Sequence, residues 1–150
     1  MSRKKAWVSW ICEDSGQTPR DLIQALGASG LDPSGAQWHD DLEKMAWVEL
    51  AGVLLDPRAC DLWLIALDPA SLRKPSIRYA LSLLTASCRD ERGGDFPIFV
   101  LGNDFVPASA ELPLLLRDAT ILSTTDPAWA AKVVAGAFSH VSVNLPDYRF

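Results

Sequence analysis

The run Asp61-Leu62-Trp63-Leu64-Ile65-Ala66-Leu67 constrains this chain more than any other segment. After its opening aspartate it carries no polar side chain on either face that a strand presents, and it stops abruptly at Asp68-Pro69. A strand apolar on both faces needs cover above and below, which is the situation of a central strand in a parallel sheet packed between helices. Two other segments are mostly apolar strand candidates: Ala6-Trp7-Val8-Ser9-Trp10-Ile11-Cys12 before Glu13-Asp14, and Phe96–Leu101 before Gly102-Asn103-Asp104.

Between these segments the apolar spacing becomes helical. Thr18-Pro19-Arg20-Asp21 predicts a helix start, with Thr18 as cap, Pro19 at the first helical position and Asp21 facing the positive end of the dipole. Leu22, Ile23 and Leu26 give that helix one apolar face, and Gly30 ends it. A second helix is expected over Asp41–Leu55, where Leu42, Met45, Ala46, Leu50, Val53 and Leu54 recur at helical spacing. A third runs over Pro75–Arg89 with Ile77, Leu81, Leu84 and Cys88 on one face. Thr125-Asp126-Pro127 opens the last, which includes Trp129, Val133, Val134, Ala137 and Phe138. Gly35–His39 and Ala119–Leu122 are short strand candidates. Pro107 and Pro113 limit Val106–Arg117 to short helical pieces, and His140–Phe150 reads as an irregular tail.

Strands alternating with helices at short connections imply right-handed crossovers and a sheet covered on both faces. The expected fold class is α/β: one three-layer, flavodoxin-like domain over residues 1–150 with about five parallel strands. Ligands of such sheets bind beyond the carboxyl ends of the strands. The residues there are Glu13, Asp14, Asp68, Asn103, Asp104, Thr124, Thr125 and Asp126.

Charge and cysteine usage narrow the partners. With 14 Lys+Arg against 19 Asp+Glu, a formal charge of −5, the chain lacks the cationic footprint that nucleic acid or an anionic membrane requires. No apolar run approaches the ~20 residues that span a bilayer. The basic start Met1–Lys5 is followed by too short an apolar stretch for a signal peptide. Cys12, Cys60 and Cys88 are odd in number and widely spaced, so reduced buried thiols in a cytoplasmic protein are expected. The only histidines, His39 and His140, lack ligand spacing, so no metal and no cofactor are expected.

Phosphate-cradling signatures are missing too: there is no Gly-x-Gly-x-x-Gly and no Gly-Lys-Ser/Thr. The acidic pair Glu13-Asp14 and the strand-end Asp68 resemble a response-regulator receiver domain, which implies a carboxylate-held magnesium ion and Asp68 as phosphoacceptor. That family also uses a lysine after its fifth strand, where this chain has Thr124-Thr125-Asp126. A complete phosphorylation site is therefore not expected.

A second resemblance covers more of the chain, about residues 6–138. Asp68-Pro69-Ala70-Ser71-Leu72-Arg73-Lys74-Pro75-Ser76-Ile77-Arg78-Tyr79-Ala80-Leu81 is similar to the pattern of the Toll/interleukin receptor (TIR) domain. There a strand ends in Ser-Pro and a helix then begins Trp-Cys-x-x-Glu-Leu. Val8-Ser9-Trp10 resembles that family's first-strand box, Trp38-His39-Asp40 the opening of its long loop, and Phe96-Pro97-Ile98-Phe99-Val100 its fourth strand. Catalytic members cleave the nicotinamide–ribose bond of NAD with the glutamate of that helix, and Ala80 stands at the corresponding position. Ser76 and Ile77 replace the tryptophan and cysteine, Asp68 replaces the serine, and Lys44-Met45 lies near the place of the loop's Pro-Gly. A methyl group cannot stabilise an oxocarbenium-like centre as a carboxylate does.

The resemblance thus implies a degenerate module without catalytic residues, working by protein–protein association or as a homo-oligomer in bacterial signalling or defence. Its expected surfaces are the segment Trp38–Trp47 and the helix beginning near Pro75, with Ser76 and Arg78. Of the six tryptophans, Trp38 and Trp47 are the expected interface anchors and the rest are expected in or near the core. The alternative is a small ligand or nucleotide held at the strand ends by Ser9, Asp68, Asn103 and Thr124.

Overall fold

The structure is a computed structural model that describes residues 4–11, 18–37 and 52–143. Five strands, β1 (Lys5–Trp10), β2 (Asp32–Gln37), β3 (Leu62–Leu67), β4 (Ile98–Gly102) and β5 (Thr120–Ser123), form one all-parallel sheet in the order β2-β1-β3-β4-β5. The α-helices that lie wholly within the described residues are α1 (Pro19–Ala28), α2 (Pro69–Leu72), α3 (Pro75–Arg92) and α4 (Trp129–Val143). This is the expected flavodoxin-like α/β architecture, with the strand order reversing between β1 and β3.

The side-chain period of two divides the core between the sheet's faces. Leu62, Leu64 and Ala66 of β3 join Val8, Phe99 and Leu101 against Leu22 and Leu26 of α1 and Trp129 and Val133 of α4. Trp63, Ile65 and Leu67 join Ile98 and Val100 against Ile77, Leu81, Leu84 and Cys88 of α3. All six residues of β3 are buried, as its sequence requires. Trp10, Trp63 and Trp129 are buried and Trp7 is half-buried.

Several boundaries differ from the sequence reading. Strand β2 begins at Asp32, not Gly35, because the edge position needs only β1 as partner and tolerates Pro33, which has no N–H to offer. Gly35 sits opposite Val8, where a Cβ would lie 2.3 Å from the Val8 carbonyl oxygen. Helix α3 runs one turn past Arg89. Its last turn carries Arg89, bonded to the Gly94 carbonyl at 2.8 Å, and Arg92, bonded to the carbonyls of Leu54 and Cys60 at 2.7 Å each. Gly93, with φ +96°, ends it. Helix α4 starts at Trp129 and continues to Val143, so residues 140–143 are helical and not the irregular tail expected from His140. Of the expected helix Asp41–Leu55, residues 52–54 are helical and 41–51 lie outside the described residues.

Candidate functional site

The carboxyl edge of the sheet is built by the turns that follow β3, β4 and β5. After β3, Asp68 caps the short helix α2. Its Oδ1 accepts from the Ser71 N–H at 2.9 Å, the Ser71 Oγ accepts from the Asp68 N–H at 3.1 Å, and Pro69 fills the first helical position. Both residues of this box are enclosed, Asp68 being 2% exposed and Ser71 fully buried. The sequence reading assigns no element to Pro69–Leu72, where α2 lies. The doubled pattern Asp68-Pro69 and Lys74-Pro75 is the signal for two successive helix starts, with Arg73 left between them.

After β4 the chain turns sharply. Gly102 has no room for a side chain, since a Cβ would lie 2.3 Å from the Phe105 carbonyl oxygen and 2.5 Å from Pro107 Cδ. Asp104 adopts φ +67°, in the left-handed region that asparagine and aspartate reach more readily than other side chains. Its N–H donates to Thr124 Oγ1 at 2.8 Å, and that hydroxyl can donate to Asn103 Oδ1 at 3.4 Å. The Asn103 N–H bonds the Leu67 carbonyl at 2.7 Å, tying this turn to β3. After β5, Ser123 Oγ donates to the Phe105 carbonyl at 2.6 Å. Asp126 accepts from Lys132 Nζ and the Ala128 N–H, which hold its carboxyl below the usual aspartate value.

The four expected ligand-binding residues therefore occupy different settings. Asn103 and Thr124 meet at the β4–β5 edge and brace the turns. Ser9, 2% exposed, sits inside the sheet and accepts the Trp63 indole N–H at 2.9 Å. Asp68 is the cap just described. Of the expected interaction residues, Ser76 and Arg78 lie in the first turns of α3 and are half-buried, whereas Trp38 and Trp47 lie outside the described residues. Ala80 is 1% exposed. Glu13 and Asp14 also lie outside the described residues, and among those described no group of three or more His, Cys, Asp or Glu side chains could hold a metal ion.

Among the described residues, two hollows open near this edge. One, of about 540 Å³, is lined by Pro69, Leu72, Arg73, Arg78, Phe105 and Glu111. The other, of about 480 Å³, lies between α1 and the turn before α4 and includes Asp21, Gln24, Thr124 and Trp129. Arg73, Phe105 and Glu111 were not singled out from sequence, because they lie on three segments that only the sheet order brings together.

Among the described residues, most large exposed apolar side chains lie on α3 or on the segment after β4. Tyr79 (61% exposed) and Leu83 lie one turn apart on α3, and Val106 (70%), Leu114 (74%) and Leu115 follow β4. Their neighbours Phe105, Leu112 and Leu116 pack into the α3-side core. On the opposite layer Phe138 is exposed, with the Lys4 ammonium 5.1 Å from its ring centre. No helix among the described residues is long and apolar enough to cross a membrane.

Comparison with known proteins adds little. No family model and no curated protein matches the chain. Among solved structures it is similar to the salicylyl-acyltransferase SsfX3 from a tetracycline biosynthetic pathway, at 16% identity and a TM-score of 0.45. The alignment covers 95% of this chain but 39% of that one, so the chain spans well under half of that protein's length. At this level of likeness, nothing of that enzyme's activity carries over.

Proposed function

We propose that this chain is a TIR-like protein–protein association module without a catalytic role, working in the cytoplasm in bacterial signalling or defence. The observation that carries the reading is the exposure of Tyr79 and Leu83 on α3 and of Val106, Leu114 and Leu115 on the segment whose Phe105, Leu112 and Leu116 pack into the α3-side core. Single exposed apolar residues are ordinary, but several gathered on one layer favour an interface, and tyrosine and arginine are its usual anchors. Arg78 stands beside Tyr79 in the same helix. Burial of Cys60 and Cys88 as free thiols agrees with a reducing compartment.

The partner to test first is a second copy of the chain. Sedimentation over a rising concentration series should give a species that grows with concentration and is lost in the double variant Leu83→Glu/Leu114→Glu. Trp38→Ala and Trp47→Ala test the second expected surface in the same assay. Wild-type protein that stays monomeric and sediments like the double variant throughout would refute self-association through this face.

A further inference from the structure

We propose that the hollow beside β3 and β4 binds a small organic oxyanion, a carboxylate or phosphate group carried on a flat apolar body. The site is distinct from the four strand-end residues expected from sequence, and it does not depend on the association reading. Its volume of about 540 Å³ falls in the range of small-molecule sites, roughly 300–1,000 Å³. Pro69, Leu72 and Phe105 supply apolar wall, and Arg73, Arg78 and Glu111 supply the polar part.

The polar part is arranged for an anion. Arg78 Nη1 donates to the Glu111 carbonyl at 2.6 Å and the Leu72 carbonyl at 3.2 Å, which clamps the guanidinium between the end of α2 and the turn at 109–111. Those bonds use one nitrogen and leave Nε and Nη2 without a partner among the described residues. Arg73, exposed on the rim, bonds no described residue through its side chain. Glu111 is partly committed, since its Oε1 accepts from the Ala108 N–H at 3.2 Å. In a chain of formal charge −5, this hollow has a local excess of positive charge, with one guanidinium held rigidly and the other free to close. Planar guanidinium forks match oxyanions in two-point geometry, and a pre-fixed fork loses little entropy on binding. Leu72 and Phe105 then favour a ligand with an apolar body over a bare inorganic ion.

The test uses the full chain with phenyl phosphate, benzoate, inorganic phosphate and benzyl alcohol as probes, followed by calorimetry and by amide shifts in ¹H–¹⁵N spectra. Phenyl phosphate or benzoate should bind more tightly than inorganic phosphate or benzyl alcohol, shifting the amides of residues 70–73, 105 and 111. Arg73→Gln, at an exposed position whose side chain bonds no described residue, should keep the wild-type melting temperature and weaken binding about tenfold, or ~1.4 kcal/mol. The proposal is overturned if neither aromatic anion binds, if inorganic phosphate or benzyl alcohol binds as tightly, if the shifts fall elsewhere, or if Arg73→Gln binds as wild type does.

Discussion

Replacing Asp68 by alanine separates a structural carboxylate from a chemical one. The change removes the acceptor of the Ser71 N–H, a bond of 2.9 Å, while the bond from the Asp68 N–H to Ser71 Oγ survives because it uses backbone and serine alone. Loss of an N-cap costs about 0.5–2 kcal/mol. Ser71 is fully buried, so water cannot replace the lost acceptor, and an orphaned buried donor costs about 1–3 kcal/mol. These describe the same N–H and overlap, which puts the expected loss near ~2 kcal/mol. For a chain of this size that lowers the melting temperature by roughly 4–8 °C. Asp68→Asn keeps an acceptor in place and should lose less than ~0.5 kcal/mol. Calorimetric or circular-dichroism melts of the three proteins decide the matter. An alanine variant melting within about 1 °C of wild type, or an asparagine variant as unstable as alanine, would show that the cap is not what holds this residue in place.

Buried groups supply three more tests. The Thr85 hydroxyl is fully buried on α3 with no hydrogen-bond partner among the described residues, so Thr85→Val should be neutral or stabilise by up to about 1 kcal/mol in denaturant titrations. A loss above that size would mean the hydroxyl has a partner. Burial pushes the thiols of Cys60 and Cys88 up to about 12 and about 11. Both should resist thiol reagents in the native state and react on unfolding. Because the unfolded thiols ionise near pH 9 and the folded ones do not, the unfolded state binds fewer protons above that pH. Stability should then fall by up to ~1.4 kcal/mol per pH unit per thiol, starting near pH 9 and ending at the folded values. Fast native labelling of both would contradict the burial.

The fold was legible where local physics and tertiary demand agree. Leu62–Leu67 could be nothing but a covered central strand, and Thr18-Pro19-Arg20-Asp21 encodes a complete helix start, with the Thr18 and Asp21 side chains each bonding the other's backbone N–H. Strand β2 was harder to read because Asp32-Pro33-Ser34-Gly35 has the composition of a turn. Pairing with β1 overrode that composition, and an edge position made Pro33 acceptable. The end of α3 lies one turn beyond the sequence reading because Arg92 bonds carbonyls distant in sequence, at Leu54 and Cys60.

The sequence by itself determined the layered α/β class, the sheet's central strand and the edge at which polar residues gather, because periodicity and capping are properties of neighbours along the chain. Only the tertiary structure decided what those polar residues do. Asp68 and Ser9 look alike in the sequence as polar residues beside apolar runs, yet one caps a helix and the other accepts an indole proton inside the sheet. The convergence of Arg73, Arg78, Phe105 and Glu111 on one hollow was likewise invisible, since it depends on β3 and β4 being neighbours in the sheet.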